Sequence, residues 1–164
     1  MNVPKAASKL EPNISDLLAR QRRKVVPILG DGNCFFRAIA HIIHKSQENH
    51  NSVRTEIVNY IHMNSAQLGQ LLIGNDTIEQ HIAKMRVPGE WATQVELQAA
   101  TEVYGRALYL YTLTPAKDAY QWHCYMPKTR SPIQGHIELA HPSGVHFEVL
   151  WMQLQTQLAK PLHS

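Results

Sequence analysis

At 164 residues the chain is long enough to bury the core of one domain. With 44% hydrophobic and 18% charged residues it is globular, which excludes a disordered chain. Its formal charge of +3 is modest and gives no strongly basic or acidic face by itself. Residues 1–12 are polar, include Pro4 and Pro12, and read as a loose arm. Asn13 is placed to cap a short helix with Ile14, Leu17 and Leu18 on one face. That helix ends in a basic cluster, Arg20, Arg22, Arg23 and Lys24. The cluster lacks interleaved aromatics, so it reads as a solvated helix end rather than a nucleic-acid patch. Residues 25–29 are apolar and broken by Pro27, as in an edge strand or an extended lead-in.

The stretch Gly30-Asp31-Gly32-Asn33-Cys34-Phe35-Phe36-Arg37-Ala38 comes next and organises the reading. Two glycines bracket an aspartate and predict a tight turn. Phe35, Phe36, Ala38, Ile39, Ala40, Ile42 and Ile43 then predict a helix buried nearly all round. Cys34 falls in its first turn, where free N–H groups and the helix dipole favour a thiolate. The same amides are placed to hold an oxyanion. A cysteine beside phenylalanines is also a common inert core residue. A nucleophilic role therefore depends on a base elsewhere in the chain.

A polar loop at 45–49 separates this helix from another that starts at Asn51 or Ser52 and carries Val53, Ile57, Tyr60 and Ile61. Residues 69–75 form a connection. Asp76 and Glu79 have the spacing of a capping pair ahead of Ile78, Ile82 and Met85, and Pro88-Gly89 stops that helix. Thr93 and Glu96 form a capping box for a helix with Val95, Ala99, Ala100 and Val103, which Gly105 ends. Strands are predicted at 107–113, buried on both faces, at 120–126, at 137–140 and at 145–152. Helices come first and strands after, which predicts an α+β layering with the cysteine helix against the sheet.

The ten histidines make a base easy to find, and His146 is the informative one. It opens the last predicted strand. Alternation puts His146, Glu148 and Leu150 on one face and Phe147, Val149 and Trp151 on the other. Same-face neighbours are about 7 Å apart, a gap a glutamate can bridge. Glu148 can then accept the proton of one ring nitrogen of His146 and leave the other for the thiol. The plainer reading makes His146 a strand-edge residue and Glu148 solvent-facing. His123, Cys124, His136 and His141 fit no compact pair of zinc ligands, so no metal is expected.

With two cysteines there is no disulfide framework, which points to a reducing compartment, most simply the cytosol. A non-standard secretion route into a host cytosol stays open. No apolar stretch reaches membrane-spanning length, and the N-terminus lacks the apolar core of a signal peptide.

Three blocks of the sequence together resemble the ovarian tumour (OTU) family of deubiquitinating cysteine proteases. The first is Asp31 to Ala38. The second is Trp91-Ala92-Thr93-Gln94-Val95-Glu96-Leu97-Gln98-Ala99-Ala100, ending in Tyr104-Gly105-Arg106. The third is His146-Phe147-Glu148. They come in the family's order and span residues 30–150. The resemblance implies a papain-like α+β fold with a central, mostly antiparallel sheet packed between helices. It implies a protease domain at 25–152, with an arm and short helix at 1–24 and a tail at 153–164. It implies cleavage of ubiquitin from lysine side chains or from polyubiquitin chains, by a monomer and with no cofactor. Cys34 is then the nucleophile and His146 the general base.

Asp31 matches the aspartate counted with the catalytic set, shaping a loop in which the amides of Asp31, Gly32, Asn33 and Cys34 form the oxyanion hole. The position two after the histidine is commonly Asp or Asn in the family, and Glu148 departs from that. Trp91 and Glu96 match family positions and are expected to be structural, packing and capping the start of their helix. Residues 67–76 and 128–135 are candidates to touch ubiquitin. Three rival readings use the same residues: a ubiquitin-binding module that has lost catalysis, a hydrolase for another ubiquitin-like modifier, and a nucleic-acid-associated protein using the basic cluster.

Overall fold

The computed structural model describes residues 14–152 apart from 115, 117, 134 and 143–145. The expected N-terminal arm, the Asn13 cap, the Ser143-Gly144 turn and the C-terminal tail lie outside the described residues. Six helices and five strands follow in order: α1 (Ile14–Arg20), β1 (Arg23–Val26), α2 (Cys34–His44), α3 (His50–Met63), α4 (Ser65–Leu68), α5 (Ile78–Met85), α6 (Gln94–Tyr104), β2 (Leu108–Thr114), β3 (Ala119–Tyr125), β4 (Ile137–His141) and β5 (Glu148–Met152). The strands form one sheet in the order β1-β5-β4-β2-β3. Only the β2–β4 pair is parallel, so the sheet is mostly antiparallel.

Strand alternation divides the apolar residues between the two faces. Leu108, Leu110, Ile137, Leu139, Phe147 and Val149 meet Phe35, Phe36, Ile39 and Ile57 in the main core. Tyr111, Ala140 and Leu150 point the other way and meet Leu18 of α1 in a smaller core. The sheet thus lies between α1 and the remaining helices, as expected of the predicted layering. The cysteine helix is buried continuously from Cys34 to Ala40. The Thr93–Glu96 capping box forms, and Gly105 ends α6 at φ 63°, a conformation glycine adopts without steric cost.

Several local expectations are corrected. The basic cluster is a helix end only at Arg20, the last residue of α1; Arg23 and Lys24 are in a strand. Arg23 lies in β1, and its guanidinium donates twice to the Glu138 carboxylate, at 2.9 and 3.1 Å. Arg23 is therefore paired with a carboxylate on the sheet, which takes one cation from the cluster that the nucleic-acid reading needs. Asp76 caps nothing. Thr77 and Gln80 form the capping box of α5, while Asp76 pairs with Lys84. The third helix begins at His50, and the short helix α4 falls just before the connection expected at 69–75, in residues given no element from the sequence. The last strand begins at Glu148, which leaves His146 in the segment leading into it.

Phe35 is 1% exposed and contacts Phe36 and Phe147 edge to face, with centroids 5.4 and 5.3 Å apart. Phe35→Ala removes the wedge between α2 and the lead-in to β5. It should cost about 3–5 kcal/mol in denaturant unfolding. A loss below about 1 kcal/mol would show that this junction repacks without it.

Candidate active site

The cysteine loop is closed by Asp31. Its carboxylate accepts from the Asn33 amide at 3.0 Å, from the Asn33 side chain at 3.3 Å, and from Arg37 Nη2 at 2.9 Å. Burial favours the neutral acid, but the hydrogen bonds from Arg37 and Asn33 outweigh it and hold the Asp31 carboxyl below its ordinary pKa. Asp31 stays ionised and ties the loop to a residue inside the first turns of α2.

Glycine is needed at 32 for space. A β-carbon there would lie 1.7 Å from the Gly89 carbonyl oxygen. Neither Gly30 nor Gly32 has a positive φ, so the expectation that the turn needs glycine's conformational freedom is corrected. The reason is close approach of another loop, which no local pattern reveals.

The amides expected to hold an oxyanion are partly engaged. The Asp31 amide donates to the Leu29 carbonyl, the Asn33 amide to the Asp31 carboxylate, and the Cys34 amide to the Asp31 carbonyl. The Gly32 amide has no such bond among the described residues. Of these four amides, that of Gly32 can meet an oxyanion without giving up one of the bonds above.

Cys34 begins α2 and is 3% exposed. Burial pushes its thiol up. Hydrogen bonds from the backbone amides of Phe147, Phe35 and Cys34 pull the other way, and the nearby Asp31 charge opposes them. The balance lies above the ordinary thiol pKa, which corrects the expectation of a stabilised thiolate. The helix-terminal amides act in the expected direction, and desolvation exceeds them.

The amide of Phe147 at the sulfur places Cys34 against the segment that carries His146. His146 Nε2 lies 3.5 Å from Glu148 Oε1, both side chains being partly exposed. The opposite edge of the ring faces the cysteine loop. A β-carbon built on Gly30 would sit 3.9 Å from Cε1 and 4.0 Å from Nδ1. Nε2 is thus on the glutamate side, and Nδ1 is on the side of Gly30, at the start of the cysteine loop. Phe147 is fixed between them by stacking on His141 at 4.2 Å and by the edge of Phe35.

The other singled-out residues disperse. His136 Nε2 donates to the Glu138 carboxylate at 2.9 Å, His141 stacks on Phe147, His123 lies by Thr114, and Cys124 is exposed on β3. Trp91 does not pack the start of α6, being 54% exposed. Glu96 is structural as expected. It is fully buried and accepts from the Thr93 amide at 2.8 Å, and its second oxygen lies 2.7 Å from His81 Nε2.

Sequence reasoning missed His81 and, more importantly, Arg54. Arg54 lies on the buried stripe of α3 with Val53, Ile57, Val58 and Ile61. A charged residue at a core position of a helix was the available signal.

Comparison with known proteins identifies the family. A family model described as OTU-like cysteine protease matches residues 29–147, and the chain belongs to that family. It is 32% identical over 133 residues to OVARIAN TUMOR DOMAIN-containing deubiquitinating enzyme 10 of Arabidopsis thaliana, covering 80% of this chain and 35% of the relative. It is 31% identical over 124 residues to human OTU domain-containing protein 4, covering 74% of this chain and 10% of that one. The chain spans 35% or less of the length of these curated relatives. Among solved structures, the OTU domain of OTUD1 matches with TM-score 0.72 at 21% identity, over 84% of this chain and 91% of that one. The Hazara virus OTU bound to ubiquitin matches with TM-score 0.64 at 16% identity, over 82% and 84%. The fold is the α+β papain-like OTU fold.

Because burial holds the Cys34 thiol protonated in the free protein, its alkylation by iodoacetamide should keep accelerating with pH. No plateau is expected below about pH 9. A plateau below pH 7 would mean that a thiolate–imidazolium pair already exists without substrate.

Proposed function

We propose that this domain is a deubiquitinase that hydrolyses the isopeptide bond after the C-terminal glycine of ubiquitin. The observation that carries the reading is the Phe147 amide at the Cys34 sulfur, with His146 next to it and Glu148 on the far side of the ring. The names of the curated relatives and the ubiquitin-bound OTU neighbour support ubiquitin as the modifier.

In this mechanism His146 takes the Cys34 proton through Nδ1 while Nε2 faces Glu148. The thiolate attacks the carbonyl carbon of the terminal glycine, and a C–S bond forms as the carbonyl becomes an oxyanion. The loop from Asp31 to Cys34 receives that charge through backbone amides. His146 returns the proton to the departing lysine amine, the C–N bond breaks, and water hydrolyses the thioester. Since desolvation disfavours the resting thiolate, deprotonation accompanies the arrival of the ubiquitin tail. Glu148 offers His146 a carboxylate where the family commonly has Asp or Asn, and the 3.5 Å separation is close enough to orient the ring.

No helix among the described residues is long and apolar enough to cross a membrane. A reducing compartment such as the cytosol suits the chemistry, because Cys34 and the exposed Cys124 both remain thiols there. Leu71 and Thr129, one from each of the ubiquitin-contact candidates, line one pocket with Gln98 and Glu102 of α6. The buried, protonated thiol also favours a second reading, a ubiquitin-binding module without turnover.

Ubiquitin carrying a thiol-reactive C-terminal group separates the two. Intact mass should show one covalent ubiquitin on the wild type and none on Cys34→Ala. No adduct on a folded wild type, with ubiquitin still bound, would establish the binding module. In turnover assays His146→Ala should lose about 100- to 10,000-fold in kcat. Glu148→Ala should lose clearly less, and equal losses would make the glutamate as essential as the base.

A further inference from the structure

Arg54 is 3% exposed, yet the proposed chemistry does not use it. Its guanidinium joins two loops that are far apart in sequence. Nη2 donates to the Asn33 side-chain oxygen at 2.9 Å and to the Glu90 carbonyl at 3.0 Å, and it reaches the Gly32 carbonyl at 3.5 Å. Nη1 donates to the Met85 carbonyl at 3.0 Å. The guanidinium carbon lies 4.0 Å from the centre of the Phe36 ring, so the cation also rests on the cysteine helix. Asn33 completes the joint, since the same oxygen accepts from the Gly89 amide at 2.8 Å. Gly32 presses against the Gly89 carbonyl beside it.

A core arginine of this kind is costly to bury unless its donors are used; both terminal nitrogens are used here, while Nε is buried with no hydrogen-bond partner among the described residues. Here the acceptors come from the turn before Cys34 and from the end of α5 and its following loop. Local bonds within the cysteine loop close its turns, but none of them sets where that loop stands relative to its surroundings. The Arg54–Asn33 joint does so. It fixes the Gly32–Asn33 peptide unit, one residue from the nucleophile.

We propose that Arg54 is a positioning residue for hydrolysis, holding the cysteine loop through Asn33 so that its amides can meet the oxyanion. The inference rests on the deubiquitinase reading. A planar fork is required, because Met85 is met by Nη1 and Asn33 and Glu90 by Nη2, whereas the three donors of a lysine radiate from a single nitrogen. The effect belongs to the transition state, where charge develops on oxygen. It does not belong to the thiol, because the acceptors of Arg54 are backbone carbonyl groups and the Asn33 side chain.

The test compares wild type, Arg54→Lys, Asn33→Ala and the double variant on ubiquitin bearing a C-terminal fluorogenic amide. Each protein is also alkylated at Cys34 with iodoacetamide across pH. Each single variant should lose about 10- to 100-fold in kcat with KM changed less than about threefold, short of the about 100- to 1,000-fold expected for deleting an oxyanion donor. The alkylation rate and its pH profile should stay those of the wild type, because alkylation forms no oxyanion. The double variant should be no slower than the slower single variant, since both break one joint.

Retained kcat in Asn33→Ala overturns the proposal. So does a loss of alkylation in parallel with kcat, or losses that multiply in the double variant. If Arg54→Lys does not fold, Asn33→Ala decides alone by the same kcat and alkylation criteria. A wild type that alkylates normally but never turns over ubiquitin refutes the deubiquitinase reading instead, so the two failures are distinguishable.

Discussion

Phe35 and Phe147 meet edge to face at 5.3 Å, and that contact joins the two parts of the site. Phe35 follows the cysteine and Phe147 follows the histidine, so packing one ring against the other brings their neighbours together. Each ring is buried in the main core, which makes the junction rigid. His141 stacks on the second face of the arrangement and belongs to β4, so the sheet itself holds the lead-in to β5 in place. The reactive groups are thus held by apolar packing, and polar contacts refine what packing establishes.

The same burial creates a conflict. A thiol at 3% exposure is desolvated, and desolvation favours its neutral form. Backbone amides at the helix start favour the anion but do not prevail. Asp31 adds negative charge close by while it also shapes the loop through Arg37. A resting protein of this kind is protected against adventitious oxidation or alkylation, since the thiolate is the reactive species. In the proposed mechanism the anion therefore forms in the complex with substrate, where a ubiquitin tail and the imidazole change the surroundings of the sulfur.

The cysteine loop is held at two levels. Asp31 closes it locally, within six residues along the chain, through Asn33 and Arg37. Arg54 and Asn33 attach it to the segment from Met85 to Glu90. Gly32 permits this approach because it has no side chain to meet the Gly89 carbonyl. Glu96 performs a related task one helix further on, combining the cap of α6 with a contact to His81. Buried charges in this protein therefore secure the places where loops meet.

Much of this was legible in the amino-acid sequence because it depends on local rules. Helical spacing revealed the cysteine helix, a capping box revealed the start of α6, and period-two alternation put His146 and Glu148 on one side. The Asp-Gly-Asn-Cys motif and the other two blocks carried the family. Only the tertiary structure decided what depends on residues distant in sequence. It moved Arg23 from a supposed helix end onto Glu138, exposed Trp91, and gave Gly32 a steric rather than a conformational reason. It also set the sign of the Cys34 shift. A sequence shows the amides that favour a thiolate, since they are its immediate neighbours. It does not show the depth of burial that opposes them, which is the summed effect of every element packed around the sulfur.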